Sequence, residues 1–260
     1  MIPIRKPEEI ELLRKSNNLV SKTLAEVAKF IKPGVTTEEL DKIAEAYIRA
    51  NGAIPAFLGY NGFPKTLCTS VNSVVVHGIP GRYMLKEGDI ISIDCGVLLN
   101  NYYGDSAYTF AVGKISDEVK RLLKVTKESL FRGIENAVEG KRIGDIGNAI
   151  QEYCESFGYS VVREMIGHGI GTHLHEEPEV PNYGKRGTGP LLKKGMVICI
   201  EPMINKGVKS ILQEKDGWTI RTVDNQPSAH FEMAVAIDKN KADVLTTFKY
   251  IEEVLGEKEF

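Results

Sequence analysis

The sequence has no long apolar run, no signal peptide and almost no net charge. No window of its 260 residues holds 18 uninterrupted apolar residues, so no membrane-spanning helix is expected. The first 15 residues soon turn acidic, at Glu8 and Glu9, and amphipathic, and they lack an apolar core followed by a cleavage site. A formal net charge of −2 gives no attraction to nucleic acid or to an anionic membrane. These absences favour a cytoplasmic protein whose partners are neither nucleic acids nor membranes.

Several common motifs are also missing. The four cysteines contain no CxxC pair, and Cys95 and Cys199 lie in apolar runs typical of buried strands. Because disulfides are rare in reducing compartments, we expect reduced thiols and no structural disulfide. The motifs HExxH, G-x-S-x-G, Walker A and GxGxxG are absent. Their absence argues against a mononuclear zincin, a nucleophile-elbow hydrolase and a phosphate-loop nucleotide-binding protein.

Hydrophobic periodicity predicts the order helix, helix, strands, and then the same order again. Thr36 with Glu39 forms a capping box for the second helix, and Ser116 can cap the third. The later strand-rich stretches are dense in Val, Ile and Tyr. The predicted elements are helices at about 8–31 and 37–51, strands at about 69–112, helices at about 117–130 and 145–157, and strands at about 196–245.

A direct repeat supports this division. The segment Leu85–Asp94 aligns without gaps on Leu192–Glu201, and its Leu, Lys, Gly and two Ile positions are identical. A chance match between two buried strands is one explanation, and a duplication, favoured by the repeated order of helices, is the other. A duplicated α+β unit would pack its helices on one face of an antiparallel sheet. Since no linker is visible, we predict one catalytic domain over 1–260, with pseudo-symmetric halves of about 1–112 and 113–260.

Four carboxylates lie in or beside apolar, strand-like runs: Asp94, Asp105, Glu201 and Glu232. A buried carboxylate is costly unless a cation pairs with it. Without cations, burial and mutual repulsion would raise the pKa values of all four and destabilise the fold. Asp105 alone also fits a turn after a glycine, and surface exposure of all four is the alternative. The apolar flanks argue against exposure.

Histidines concentrate in one glycine-rich segment. Three of the five, His168, His173 and His175, lie between Gly167 and Pro178. Glycines on both sides of His168 allow backbone to come close to a site. Four carboxylates and one imidazole suit two divalent transition ions of the manganese, iron, cobalt or zinc group. Two such ions about 3.5–4 Å apart clamp a nucleophilic water and a carbonyl or phosphoryl oxygen. The sequence therefore predicts a dinuclear metal hydrolase.

The ordered set of these five residues resembles the metal pentad of the methionine aminopeptidases. The resemblance extends over about residues 4–250 and implies their α+β pita-bread fold, in which two duplicated halves are related by a pseudo-twofold axis. The flanking residues match as well, in Val76-His-Gly-Ile-Pro80, Ser92-Ile-Asp-Cys-Gly96, Tyr103-Gly-Asp-Ser106, Gly167-His-Gly-Ile-Gly171, His175-Glu-Glu-Pro178 and Glu201-Pro-Met203.

Spacing favours the short, bacterial-style type I form. Glu201 and Glu232 are 31 residues apart, whereas type II enzymes carry a long helical insertion in that interval. No amino-terminal zinc-binding extension is visible. Prolidases and aminopeptidase P share the pentad but add a large amino-terminal domain, for which this chain has no room.

The resemblance implies a metal-binding role for each member of the pentad. Asp105 and Glu232 would bridge two divalent ions. Asp94 would bind one of these ions, and His168 with Glu201 would bind the other. The ions would be cobalt, manganese, iron, zinc or nickel.

The resemblance also implies the reaction, which is removal of the first methionine from nascent proteins and peptides with a small second residue. Glu201 would take a proton from a metal-activated bridging water that attacks the scissile carbonyl. His175 would support the tetrahedral oxyanion, and His77 would contact the substrate backbone. The implied partners are nascent polypeptide N-termini, with a transient ribosome association, and the implied state is a monomer.

Methionine selection requires a deep apolar pocket with soft or aromatic walls. For a single aromatic residue, packing in the core is the simpler interpretation. Trp218 is the exception, because it follows Asp216-Gly217 in a predicted turn near the site. The candidate pocket residues, by position, are Phe57, Tyr60, Phe63, Cys68, Leu174 and Trp218.

Two residues depart from the family pattern. His230 stands where the family usually has glutamine, and Met233 where it usually has histidine. His230 either adds a titrating group beside Glu232 or replaces an amide hydrogen bond, so metal preference is left open. Two rival functions also remain, a prolidase-like aminopeptidase on the same fold and a binding module that has lost catalysis. Binding modules of that kind lose ligands, whereas all five are present here.

Overall fold

The computed structural model describes residues 2–256, and the helices and strands below are those of that range. The helices are α1 (Pro7–Ala28), α2 (Thr37–Ala50), α3 (Asp117–Glu135), α4 (Ile143–Ser156) and α5 (Lys249–Leu255), with a short 3-10 turn at Tyr60–Gly62. The strands are β1 (Ile54–Pro55), β2 (Leu67–Val71), β3 (Val74–Val76), β4 (Ile90–Leu99), β5 (Tyr102–Ala111), β6 (Ser160–Val161), β7 (Gly167–Gly169), β8 (Glu176–Val180), β9 (Val197–Ile200), β10 (Met203–Asn205), β11 (Ile211–Gln213), β12 (Ile220–Thr222), β13 (Ser228–His230), β14 (Met233–Ala236) and β15 (Asp243–Val244).

The predicted helix starts are confirmed by their caps. The Thr36 backbone N–H donates to the Glu39 carboxylate at 2.7 Å, and the Glu39 N–H donates to the Thr36 hydroxyl at 3.3 Å. This is the predicted capping box of α2. The Ser116 hydroxyl accepts from Val119 N–H at the start of α3. Helix α1 ends at Ala28, earlier than predicted, because a turn precedes the Pro33-Gly34 stop.

The strands form four antiparallel sheets within the described range. Strand β4 is the centre of the first, where it pairs with β5 over its whole length and with β1 and β2. Helix α1 packs on β4 and β5, whereas α3 packs on α4 and contacts β9, β10 and β13. The helices thus cover the sheets that carry the carboxylates. The strand orders are β1-β4-β2 with β5 on β4, β13-β10-β6, β11-β12-β3 and β15-β14-β9-β7-β8.

The two copies of the sequence repeat occupy equivalent places. Leu85 and Leu192 are both buried. The N–H of each leucine donates at 2.8 Å to a carbonyl just before α2 or α4, respectively. The shared glycines, Gly88 and Gly195, have φ angles of 90° and 89°, which glycine adopts without strain. The repeated sequence therefore makes the same turn into β4 and into β9.

The buried apolar residues form one main core, and three short strands outside the sequence prediction complete the sheets. The main core cluster unites apolar residues of all five helices with the sheets, and smaller clusters lie under the site. Strands β6, β7 and β8 were not predicted, because β6 has only two residues, and β7 and β8 are rich in glycine, histidine and charge rather than alternating. All four cysteines are free and buried. No helix within residues 2–256 is long and apolar enough to cross a membrane.

Candidate active site

Five separate strand segments carry the predicted metal ligands to one place. The first half of the chain supplies two of them from paired strands, and the second half supplies three. Asp94 lies in β4, Asp105 in β5, His168 in β7, Glu201 directly after β9, and Glu232 between β13 and β14.

Glu232 is the centre of this cluster, since it belongs to all three groups of potential ligand atoms found in the described chain. His168 Nε2 lies 3.8 Å from Asp105 Oδ2 and 3.7 Å from Glu201 Oε1. The structure thus brings the five predicted side chains together. The three groups, each with its atoms within 4.8 Å of one another, are Asp94–Asp105–Glu232, Glu201–His230–Glu232 and His168–Cys199–Glu232.

Backbone hydrogen bonds hold the carboxylates on β5 and in the β13–β14 segment. The Asp105 N–H donates to Asn17 Oδ1 of α1 at 3.1 Å. The Ser106 hydroxyl donates to the Glu232 carbonyl at 2.6 Å, and the Glu232 N–H donates to the Ala107 carbonyl at 2.9 Å. The two bridging candidates are therefore fixed to each other through the main chain.

Glycines beside His168 allow the close approach that the sequence predicts. A Cβ at Gly167 would lie 2.3 Å from the Cys199 carbonyl oxygen, and one at Gly169 would lie 2.3 Å from that of Glu177. His168 Nδ1 is 2.9 Å from the Gly169 carbonyl oxygen. Because a carbonyl oxygen only accepts, Nδ1 carries the proton, and the Nε2 lone pair faces the carboxylates.

Burial perturbs every titratable group of the cluster. It raises the pKa of Asp94 to about 6. Burial, followed by the negative charges of neighbouring carboxylates, raises the pKa of Asp105, Glu201 and Glu232 well above the usual range. Burial lowers the pKa of His168 to about 3, so that its imidazole is neutral at pH 7. Bound cations would stabilise such a cluster, because they favour the ionised form of the carboxylates.

The chemistry of the donor set fits divalent cations. Asp94 Oδ1, Asp105 Oδ1 and Glu232 Oε1 are buried and have no hydrogen-bond partner within residues 2–256. Buried polar atoms in native proteins nearly always have a partner, and metal coordination supplies one. Burial also raises the pKa of Cys199 well above its usual range, so its sulfur is protonated when no cation is bound.

A cavity of about 280 Å³ opens above the carboxylates. All the predicted substrate-binding residues line it, together with the pentad. The rings of Phe63 and Trp218 pack edge to face at 5.2 Å, and Phe57 and Phe63 also belong to a buried apolar cluster. The predicted pocket residues thus pack against the apolar core and also line the cavity. The lining residues predicted from the sequence are Phe57, Tyr60, Phe63, Cys68, His77, Leu174, His175 and Trp218.

Two further histidines face the cavity in constrained geometry. The Tyr60 hydroxyl lies 2.8 Å from His175 Nδ1, and the rings of His175 and His168 are 4.3 Å apart. His77 has a φ of 59°, which is unusual for a residue with a side chain and is most often found at functional sites. Burial lowers the pKa of His77 to about 4 and also lowers the pKa of His175.

Five lining residues were missed by the sequence reasoning. Each lies within three positions of a predicted site residue, so proximity along the chain was the available signal. Side chains of ordinary core type give no other indication that they face a cavity. The missed residues are Asn61, Val76, Met165, Ile166 and Met203.

Known proteins are similar to this chain over nearly its whole length. The model of metallopeptidase family M24 matches residues 11–239. The methionine aminopeptidase of Clostridium acetobutylicum is 53% identical over 247 residues, which are 95% of this chain and 99% of that protein. The crystal structure of methionine aminopeptidase from Rickettsia prowazekii superposes with a TM-score of 0.94 at 43% identity, covering 95% of this chain and 100% of that one.

A more distant structure marks the limit of the likeness. The prolidase from Pyrococcus furiosus superposes with a TM-score of 0.76 at 25% identity, and the match covers 94% of this chain but 65% of that one. High identity over full length with methionine aminopeptidases, and a lower, partial match to the prolidase, distinguish the two groups. The chain belongs to metallopeptidase family M24, among its methionine aminopeptidases.

Proposed function

We propose that this chain hydrolyses the bond after an N-terminal methionine in peptides and nascent proteins. One observation carries the proposal: a cluster of four buried carboxylates and one neutral imidazole forms the floor of a cavity with apolar and aromatic walls. The floor suits cleavage of a peptide bond, and the walls suit a methionine side chain.

Two divalent ions are proposed to be held by the pentad. Asp94, Asp105 and Glu232 would hold one, and His168 and Glu201, with Asp105 and Glu232 shared, would hold the other. When bound, such ions polarise the scissile carbonyl and lower the pKa of the attacking water. Cobalt, manganese, iron, zinc and nickel are the candidates.

The remaining steps belong to the chain's own groups. The Glu201 carboxylate takes a proton from the attacking water and delivers it to the leaving amine nitrogen as the C–N bond breaks. If Tyr60 donates to His175 Nδ1, the proton of this neutral ring lies on Nε2, which then donates to the oxyanion. His77, which lines the cavity, would contact the substrate backbone.

Different parts of the cavity would recognise the first and the second residue of the substrate. The walls around Trp218, Phe63 and Leu174 accept a long, unbranched apolar side chain. His77, His168 and His175 leave little room beside the scissile bond, which favours Gly, Ala or Ser at the second position. A bulky side chain would displace the carbonyl, and a shift of ~1 Å costs ~10²-fold in rate.

We further propose that the chain acts as one catalytic domain, in the short type I form, because both halves supply ligands to one cluster. Four buried, free cysteines support a reducing compartment such as the cytoplasm. In that compartment the chain would act as a monomer on nascent polypeptide N-termini, in transient association with the ribosome.

The test compares Met-Ala-Ser, Met-Lys-Ser and the dipeptide Ala-Pro before and after chelation and reloading with each ion. The expected result is metal-dependent release of methionine from Met-Ala-Ser, slow release from Met-Lys-Ser and none from Ala-Pro. Preferential cleavage of Ala-Pro would instead indicate a prolidase-like enzyme. Metal binding without cleavage of any peptide would indicate a binding module.

A further inference from the structure

His230 is a buried imidazole beside the pentad that the proposed reaction does not use. It ends β13 and is 1% exposed. Its Nε2 has no hydrogen-bond partner within residues 2–256. An unpartnered polar atom in a core destabilises the folded state, so a native protein is expected to supply a partner.

The Glu201 carboxylate lies between two imidazoles. His168 Nε2 is 3.7 Å from Glu201 Oε1, and His230 Nε2 is 3.3 Å from Glu201 Oε2. Two atoms that each bind one ion at about 2.1 Å are roughly 3–3.5 Å apart in tetrahedral or octahedral geometry. The spacing of His230 from Glu201 fits two ligands of one ion, and the ligand atoms of Glu201, His230 and Glu232 all lie within 4.8 Å of one another.

The backbone at His230 is fixed in this position. Its N–H donates to Thr109 Oγ1 at 2.9 Å, and the Thr109 hydroxyl donates to the His230 carbonyl at 2.7 Å. His230 also pairs with Met203 across β13 and β10, close to the end of β9 that carries Glu201. The imidazole is thus presented to the cluster by a rigid segment, as expected of a ligand.

We propose that His230 is itself a metal ligand, which places a second imidazole nitrogen on the ion held by His168 and Glu201. The inference rests on the proposed metal centre and extends its ligand set beyond the pentad. A nitrogen-richer set favours cobalt, zinc or iron over manganese, which prefers oxygen ligands. The competing explanation is that His230 only donates a hydrogen bond to Glu201.

The test counts metal-bound imidazoles by proton NMR of the Co²⁺-loaded protein. Paramagnetic Co²⁺ shifts the exchangeable N–H of each bound imidazole far downfield, so that each histidine ligand gives one signal that disappears in D₂O. We expect two such signals in the unaltered protein and one in His230→Gln, whose amide can still hydrogen-bond to Glu201. A single signal in both proteins would overturn the proposal.

His173→Gln is the matched control, because it removes an imidazole that is 81% exposed and does not line the cavity. This variant should keep both signals. Loss of one signal in His173→Gln would mean that the signal came from Co²⁺ bound at the surface by His173. If His230→Gln does not fold, a single signal in the unaltered protein still contradicts the proposal. One signal with normal methionine release would overturn only the ligand role of His230. Two signals without release would overturn only the proposed function.

Discussion

At the scale of single residues, burial keeps the histidines of the cavity neutral. It lowers the pKa of His168 to about 3 and of His77 to about 4, and it also lowers that of His175. A neutral imidazole can either give a lone pair to a cation or donate one N–H. The hydrogen-bond partner of the other ring nitrogen decides between these two roles. That partner is the Gly169 carbonyl for His168 and the Tyr60 hydroxyl for His175.

His175→Ala should therefore reduce turnover of Met-Ala-Ser by ~10²–10³, because a donor to the transition state is lost. Metal affinity should change far less, since His175 lies outside the pentad. Steady-state kinetics and metal titration measure the two effects. His173→Ala, which removes an exposed imidazole, is the control and should turn over normally. Near-normal turnover in His175→Ala would show that its role is wrongly assigned.

At the scale of elements, the short strand β7 determines where His168 lies. A Cβ at Gly167 would lie 2.3 Å from the Cys199 carbonyl oxygen of β9, so any other residue there must push the strands apart. The contact involves backbone, which cannot move aside as a side chain end can. The position of the imidazole thus depends on a residue that has no side chain.

Gly167→Ala should lower stability by about 1–3 kcal/mol, as overpacking of a core does, and should weaken Co²⁺ binding. Gly81→Ala is the matched control, because its new Cβ would meet nothing closer than 3.9 Å. Thermal unfolding and calorimetric titration of Co²⁺ provide the comparison. Equal Tm and affinity in the two variants would refute the packing explanation.

The sequence predicted the elements whose signals are local. Neighbouring residues along the chain determine the capping box of α2, the Ser116 cap of α3 and the strands around Asp94. The structure confirms these elements. Strands β6 and β7 escaped prediction because they are short and pair with the distant strands β10 and β9, and β8 escaped because its charged sequence does not alternate. The pentad was predictable because carboxylates in apolar runs are costly. The position of His230 against Glu201 depends on strand register, and no sequence pattern reports that.

At the scale of the whole molecule, the fold brings the carboxylates of two halves into one buried cluster. Burial raises the pKa of Asp94 to about 6, and it also raises the pKa values of Asp105, Glu201 and Glu232 well above their usual range. A carboxyl with a raised pKa holds its proton at mildly acidic pH. A metal ion must displace those protons before it can bind.

Affinity for Mn²⁺ should therefore fall as pH is lowered through 6 and rise as pH increases above it. His168 adds no competition in this range, because burial keeps its pKa at about 3. Calorimetric titrations at pH 5, 6, 7 and 8, in buffers of different ionisation enthalpy, measure both affinity and proton release. An affinity independent of pH over that range, or proton uptake on binding, would contradict the account.

In the proposed function, the apolar cavity selects methionine and the carboxylate cluster cleaves the bond that follows it. The most direct measurement is kcat/KM of the metal-loaded protein for a tripeptide series X-Ala-Ser, in which X is methionine, norleucine, alanine or lysine. Cleavage should be fast for methionine and norleucine, because the pocket recognises length and apolar character more than sulfur. The value of kcat/KM should be lower by ~10-fold or more for alanine, which leaves the pocket unfilled, and for lysine, whose charge would be desolvated there. Equal kcat/KM for methionine and alanine would contradict selection of methionine by the cavity.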